Sequence, residues 1–206
     1  MPGTLSAAAA LSVPGVVTAV AAVLLIQCQI LFDCVDGELA RWRRKFSARE
    51  GSGARGVYLD HLGHLVTETL LPIALGIRAD GGWDSLGTYA ALGLVAAVLA
   101  LSVRAMGSLV HAVRAESGLG PLPAPADLPP SHSSLLRRAR RAAVRMPFFR
   151  AFVAMELTLL ALAASVVDAI DGDQLGSRVL VIALIPAAAL TVAGRLAAIL
   201  ASDRLR

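Results

Sequence analysis

The chain has few aromatic and few charged residues, and these shortages exclude an ordinary soluble domain. Aromatic residues make up 4% and charged residues 17% of the 206 residues, while 56% are hydrophobic. A typical soluble domain is about half apolar, but about a quarter of its residues are charged. Here the charges occur in clusters between long apolar runs, and a membrane-spanning helix needs about 20 apolar residues. We therefore predict an all-α, polytopic membrane helical bundle that forms a single domain over residues 1–206.

Cysteine and lysine are also scarce, with two cysteines and one lysine. Cys28 and Cys34 fit neither a disulfide framework nor a zinc-ligand spacing, so we interpret them as small core residues. Arginine supplies the other positive charges, and together with abundant alanine it is compatible with a GC-rich bacterial genome. The arginines cluster in a few loops, which membrane topology explains without a nucleic-acid partner. The N-terminus lacks a basic region and an obvious A-x-A cleavage site, so no cleaved signal peptide is expected.

Five apolar segments are predicted to be transmembrane helices. They run over about 13–32, 57–77, 86–103, 149–170 and 178–200. The first helix is expected to continue to Arg44, and the third to continue towards Arg114. The residues before Pro14 offer about eight helical positions, which reach about 12 Å at the helical rise and cannot cross a bilayer.

Basic and acidic loops alternate along the chain. The segments 42–55 and 104–150 and the C-terminal tail are basic, whereas the loops near 78–84 and 168–178 are acidic or nearly neutral. Because basic loops stay on the cytoplasmic side, we predict a multi-pass cell-membrane protein whose C-terminus faces the cytoplasm. A cytoplasmic Pro-rich loop and a basic helix are expected at about 118–150. Their arginines suit anionic membrane lipids.

Two groups of ionisable residues, at the end of the first apolar segment and the start of the second, are the strongest functional signal. Residues 33–41 read D-C-V-D-G-E-L-A-R, and residues 56–64 read G-V-Y-L-D-H-L-G-H. Ionisable residues are costly beside a bilayer core and are therefore a functional-site hypothesis by default. The alternation of loop charges predicts that both groups face the cytoplasm.

Helical spacing brings the ionisable side chains of each group onto one face. Asp33 and Asp36 are three residues apart, and Asp60 and His64 are four apart, so each pair shares a helix face. Two such faces brought together make a carboxylate site for a hard divalent cation. Arg41 supplies a planar fork that suits phosphate oxygens. The pattern therefore indicates chemistry at phosphorus.

The two groups resemble the signature of the CDP-alcohol phosphotransferase family, D-x-x-D-G-x-x-A-R followed by G-x-x-x-D-x-x-x-D. The resemblance covers roughly residues 30–64. It implies transfer of a phosphoalcohol group, here expected to be phosphatidyl, from a CDP-activated lipid or alcohol donor to a polar alcohol acceptor. CMP is released, one or two Mg²⁺ or Mn²⁺ ions are required, and such transferases in phospholipid biosynthesis are usually homodimers. The family usually has six spans, so a first helix is expected to be absent or re-entrant here, or the start of the gene was placed too far downstream.

The resemblance also assigns roles to individual residues. The implied metal ligands are Asp33, Asp36 and Asp60. The residues implied to surround the nucleotide are Gly37, Ala40, Arg41 and Gly56.

The chain departs from the family pattern at two places. The fourth aspartate of the pattern, which is the general base in the family, is replaced by His64, and the spacer over 42–55 is longer than usual. A neutral imidazole accepts a proton near neutral pH, so we interpret His64 as the general base. Metal coordination by one of its ring nitrogens is an alternative.

Several nearby residues have two interpretations each. Glu68 lies one turn beyond His64, where it either orients the imidazole or pairs with a buried arginine. His61 is interpreted as a packed or hydrogen-bonded residue rather than a ligand. Arg104 and Arg114 either anchor the third segment at the cytoplasmic side or bind the phosphate of an acceptor.

Two other functions remain alternatives. Paired carboxylates inside a membrane also occur in ion or proton transporters. A catalytically inactive family paralogue acting as a membrane scaffold would keep the fold and most of the motif. The identity of the acceptor alcohol is also undecided, and the candidates are glycerol phosphate, inositol phosphate, serine and a sugar alcohol.

Overall fold

The protein is α-helical throughout the residues that the computed structural model describes, 2–46, 53–120 and 154–200, apart from short turns. These ranges contain the helices α1 Pro2–Ser12, α2 Val16–Phe46, α3 Gly53–Ala79, α4 Thr88–Glu116, α5 Ala154–Asp171 and α6 Leu175–Leu200, and a 3₁₀ turn, Trp83–Ser85. The all-α prediction is therefore confirmed. Most of the predicted Pro-rich loop and basic helix, and the C-terminal tail from residue 201, lie outside the described residues.

Three of the described helices are long and apolar enough to cross a membrane, which identifies a membrane protein. The apolar stretches are Val16–Leu39, Thr88–Glu116 and Leu175–Leu200. Five spans were predicted, and the lower number has a physical reason. The interior of α3 carries Glu68 and Arg78 among several polar residues, and the 18 residues of α5 include three carboxylates. Charged side chains at bilayer depth are costly, so these two helices do not qualify by composition.

The short helix α1 packs against both α2 and α3. Its 11 residues reach about 16 Å at the helical rise, which is too short to cross a bilayer. Ala7 and Leu11 are fully buried and belong to one core cluster with Ile26 of α2 and Leu71 and Leu75 of α3. The other main neighbour of α2 is α5, and that of α3 is α4. The helix α1 therefore lies between the two helices that carry the motif.

Two glycines allow α3 and α4 to cross with their backbones in contact. A Cβ atom on Gly76 would lie 2.5 Å from the carbonyl oxygen of Tyr89, and one on Gly93 would lie 2.6 Å from that of Pro72. Small residues at a crossing permit this approach between membrane helices. The crossing fixes the position of α3 relative to α4, and both helices line the cavity described below.

The end of the bundle remote from the motif is held by polar contacts. Arg78, which is fully buried, donates a 2.8 Å hydrogen bond to the carbonyl of Val13 after α1. Asp80 accepts backbone N–H groups at the start of α4, the shortest at 2.7 Å. Asp168 of α5 accepts the backbone N–H and the hydroxyl of Ser177 in α6, at 3.1 and 2.6 Å. These bonds satisfy helix ends and fix this side of the fold.

Candidate functional site

A cavity of about 510 Å³ opens among helices α2 to α6, and two of the predicted site residues line it. Asp33 reaches it from α2 and His64 from α3. The cavity therefore receives one ionisable side chain from each half of the motif. The other ionisable residues on its wall are Glu68, Arg104, Glu156 and Arg195.

The motif residues of α2 lie on an exposed stretch of the helix. Asp33 and Asp36 are both exposed. Cys28 and Cys34 are exposed as well, so the prediction that they are small core residues was wrong, because both lie on the exposed side of α2. Arg41 forms a 2.7 Å ion pair with Glu38 of the same helix, and this hydrogen bond raises the pKa of Arg41 above its ordinary value. A Cβ atom on Gly37 would meet no atom closer than 3.9 Å, so the space beside it is open. Ala40 lies within α2.

The motif residues of α3 form a local pair. Nε2 of His64 lies 3.6 Å from Oδ1 of Asp60, and both side chains are about half exposed, at 50% and 57%. The four-residue spacing on one helix is the cause of this contact. Gly56, one turn earlier, has open space where a Cβ would be.

The donor atoms of the motif suit a hard dication by chemistry, because Mg²⁺ and Mn²⁺ favour carboxylate oxygens. Within the described ranges, however, no group of three or more His, Cys, Asp or Glu side chains is arranged to hold a metal ion. The structure places Asp60 and His64 side by side and Asp33 on the same cavity. Asp33 and the pair of Asp60 and His64 thus come from different helices, and within the described residues they do not form one metal-binding group.

Glu68 pairs with Arg104 across the crossing of α3 and α4. Nε of Arg104 donates to Oε2 of Glu68 at 3.1 Å, and Nη2 donates to Oε1 in a second, shorter bond. The structure therefore supports the second interpretation of Glu68, pairing with an arginine, over orientation of the His64 imidazole. The neighbouring Arg195 donates a 2.9 Å hydrogen bond to the carbonyl of Val103. Arg114 does not line the cavity, and its guanidinium donates to the carbonyl of Gly120 at 2.8 Å.

The sequence interpretation missed several residues of the cavity wall. Arg195 and Glu156 are charged residues inside apolar segments, and that position alone marks them for attention. Gln29 and Thr67 also line the cavity. Both contact Thr4 of α1, which is 25 and 63 positions away in the sequence, so helical spacing alone could not reveal their role.

No family model matches the chain, and no match was found among the curated proteins or the solved structures. The likeness to the CDP-alcohol phosphotransferase signature therefore depends on the motif residues themselves.

Proposed function

We propose that the protein is a membrane CDP-alcohol phosphotransferase, which transfers a phosphoalcohol group from a CDP-activated donor to a polar alcohol. The transferred group is expected to be phosphatidyl. The observation that supports this most is the common cavity of Asp33 and His64. These residues come from different helices and from the two separate halves of the signature. A cavity of this volume accommodates the reacting end of a ligand, while the long acyl chains of a lipid donor would remain in the bilayer.

His64 has the role of general base in this proposal. The hydroxyl of the acceptor attacks the donor phosphorus, its proton passes to the imidazole, and the bond from phosphorus to the CMP oxygen breaks. Asp60, at 3.6 Å from the ring, stabilises the positive charge that the ring gains. Coordination of a metal through His64 is the alternative that the sequence left open.

Asp33, Asp36 and Asp60 are the proposed holders of one or two Mg²⁺ or Mn²⁺ ions. When bound, such ions would neutralise the diphosphate and the departing CMP. Asp33 and Asp36 lie on α2 and Asp60 lies on α3, and within the described residues the three carboxylates do not form one metal-binding group. The proposal therefore requires the motif ends of α2 and α3 to approach when the nucleotide binds.

Arg41, Gly37, Ala40 and Gly56 are the proposed surroundings of the nucleotide. Arg41 is engaged by Glu38, and both side chains are largely exposed, at 67% and 74%. An exposed pair of this kind contributes little to stability, so the diphosphate can replace Glu38 on the guanidinium at low cost. Open space beside Gly37 and Gly56 allows the ligand to approach the backbone.

The proposed location of the site is the cytoplasmic side of the cell membrane. The cavity faces the cytoplasm of a bacterial cell membrane, as does the C-terminus, because nucleotide-activated donors are cytoplasmic and the loops beside the motif are basic. The basic residues between α4 and α5 attract anionic lipids. A homodimer that serves phospholipid biosynthesis is part of the same expectation.

The test is release of CMP from CDP-diacylglycerol by purified protein, with glycerol phosphate, inositol phosphate, serine and a sugar alcohol as acceptors. Asp33→Asn and Asp60→Asn should each abolish the release that depends on divalent ions. Asp84→Asn is the matched control, because Asp84 is an exposed aspartate at the other end of the bundle. Turnover retained in Asp33→Asn or Asp60→Asn would remove the metal hypothesis. No CMP release by the wild type would favour the scaffold, and ion flux across vesicles would favour the transporter.

A further inference from the structure

A buried threonine on α1 connects the two helices that carry the motif. Thr4 is 1% exposed, and its Oγ1 lies 2.7 Å from Oε1 of Gln29 on α2. The same atom lies 2.9 Å from Oγ1 of Thr67 on α3. We refer to the side chains of Thr4, Gln29 and Thr67 as the Thr4 link. One hydroxyl thus joins α2 and α3 through α1.

The link lies beside the candidate site. Gln29 is four residues before Asp33 on α2, and Thr67 is three residues after His64 on α3, so each lies about one turn from a proposed site residue. Gln29, Thr67, Asp33 and His64 all line the same cavity. The distance that the link sets between α2 and α3 is therefore also a dimension of the site.

The hydrogen bonds of the link run through both hydroxyls. The hydroxyl of Thr4 donates to Oε1 of Gln29 at 2.7 Å. The hydroxyl of Thr67 lies 2.9 Å from Oγ1 of Thr4 and 2.8 Å from the carbonyl oxygen of Gly63 in its own helix, so its proton has two acceptors. Because Thr4 contacts both partners through a single oxygen atom, α2 and α3 are connected at this point through one residue of α1.

The rest of α1 is held by close packing and by a hydrogen bond beyond its far end, both of which oppose a shift of Thr4 along the helix. A Cβ atom on Gly3 would lie 2.9 Å from Oε1 of Gln29, which shows how closely α1 approaches α2. Ala7 and Leu11 are completely buried, and Arg78 holds the carbonyl of Val13 beyond the other end of α1. Such a helix acts as a spacer of defined width.

We propose that Thr4 is a positioning residue that holds α2 and α3 at the separation at which Asp33 and His64 face one cavity. Removal of the Thr4 hydroxyl takes away the middle member of the Thr4 link. The two motif helices then lose their common polar anchor while the apolar contacts of α1 remain. The catalytic consequence rests on the proposed function, whereas the spacing itself does not.

The spacing is tested without substrate by pulsed electron paramagnetic resonance on two nitroxide labels. Cys34 is exposed on α2 and takes one label, Tyr58→Cys on the exposed part of α3 takes the other, and Cys28→Ser removes the second natural thiol. In this background Thr4→Val should shift or broaden the distance distribution between the labels. Thr4→Ser, which keeps the hydroxyl, should leave the distribution as in the parent.

A second buried threonine provides the matched control. Thr158 is also 1% exposed, but among the described residues its hydroxyl bonds only to carbonyls of its own helix, at 2.9 and 3.0 Å. Thr158→Val should leave the distribution unchanged. An unchanged distribution in folded Thr4→Val would overturn the proposal. If Thr4→Val fails to fold, Thr67→Val removes the hydroxyl of the Thr4 link on α3 and should shift the distance distribution in the same way. Loss of folding in both variants would make the link a stability element and contradict the proposal.

The values of kcat and KM for CMP release test whether Thr4 positions the site residues. Thr4→Val should lower kcat for CMP release about tenfold or more and leave the KM of the donor within about twofold, because misplacement affects the transition state. Thr4→Ser should restore kcat. A shifted distance with wild-type kcat would contradict the positioning role. Absence of CMP release in the wild type would count against the proposed function and leave the result of the distance measurement in force.

Discussion

The crossing of α3 and α4 provides a prediction in which the structure sets the magnitude. In Gly76→Ala the new Cβ would lie 2.5 Å from the carbonyl oxygen of Tyr89, whereas ordinary contacts begin at 3.4 Å. The obstacle is backbone, so no side chain can rotate away, and the two helices must separate by about 1 Å. Overpacking of this kind costs about 1–3 kcal/mol. Replacing glycine by alanine within a helix gains about 0.5–1 kcal/mol, so the steric term exceeds the gain.

Gly107→Ala on α4 is the matched control, because it adds a methyl group to a helix without a steric clash. A Cβ atom there would meet nothing within 4 Å, so this variant keeps the gain in helix propensity and should be slightly stabilised. The two variants should then differ by the steric cost alone. At about 2–4 °C per kcal/mol for a chain of this length, Gly76→Ala should melt roughly 2–12 °C below Gly107→Ala. Thermal unfolding in detergent, followed by circular dichroism, measures the difference. Equal melting temperatures would refute the close backbone crossing.

Three other predictions concern the site and the topology. His64→Ala should lower kcat about 10²–10⁴-fold with donor binding largely intact, whereas His64→Asp should stay active, because a carboxylate can also accept the proton of the acceptor. Wild-type turnover in His64→Ala would exclude His64 as the general base. Arg41→Lys should lose activity, since a point charge does not replace the fork, and full activity would contradict a role in phosphate binding. Reporters should place Gly120 inside the cell and Gly82 and Gly172 outside, and the reverse would separate the site from cytoplasmic nucleotides.

Local features of the fold were predictable because they depend on neighbouring residues. The first apolar segment was expected to continue through the motif to Arg44, and α2 runs to Phe46. The third segment was expected to extend towards Arg114, and α4 ends at Glu116. The contact of His64 with Asp60 follows from a four-residue spacing on one helix. Each of these features needs only helical periodicity and hydropathy.

Contacts between distant segments were not predictable in the same way. The partner of Glu68 is Arg104, 36 positions away, and the sequence offered the ion pair only as one of two interpretations. The position of α1 between α2 and α3 depends on buried Ala7 and Leu11, which are common residue types in any apolar helix. Five spans were predicted, whereas three of the described helices meet the length and composition of a span, because α3 and α5 carry charges inside their apolar runs.

The two ends of the bundle differ in how firmly they are held, and this difference supports movement at the site. At the remote end, buried Arg78 and Asp168 bind backbone groups of other helices or turns. At the motif end, Asp33, Asp60 and His64 are exposed, and the described bonds of Arg41 are to its own helix. Regions with exposed side chains and few contacts between elements open at low free energy, and ligand-binding regions are drawn from them. In the transferase proposed above, the remote end would be the fixed base from which the motif ends of α2 and α3 approach the nucleotide, and the Thr4 link would hold the two helices together between these ends.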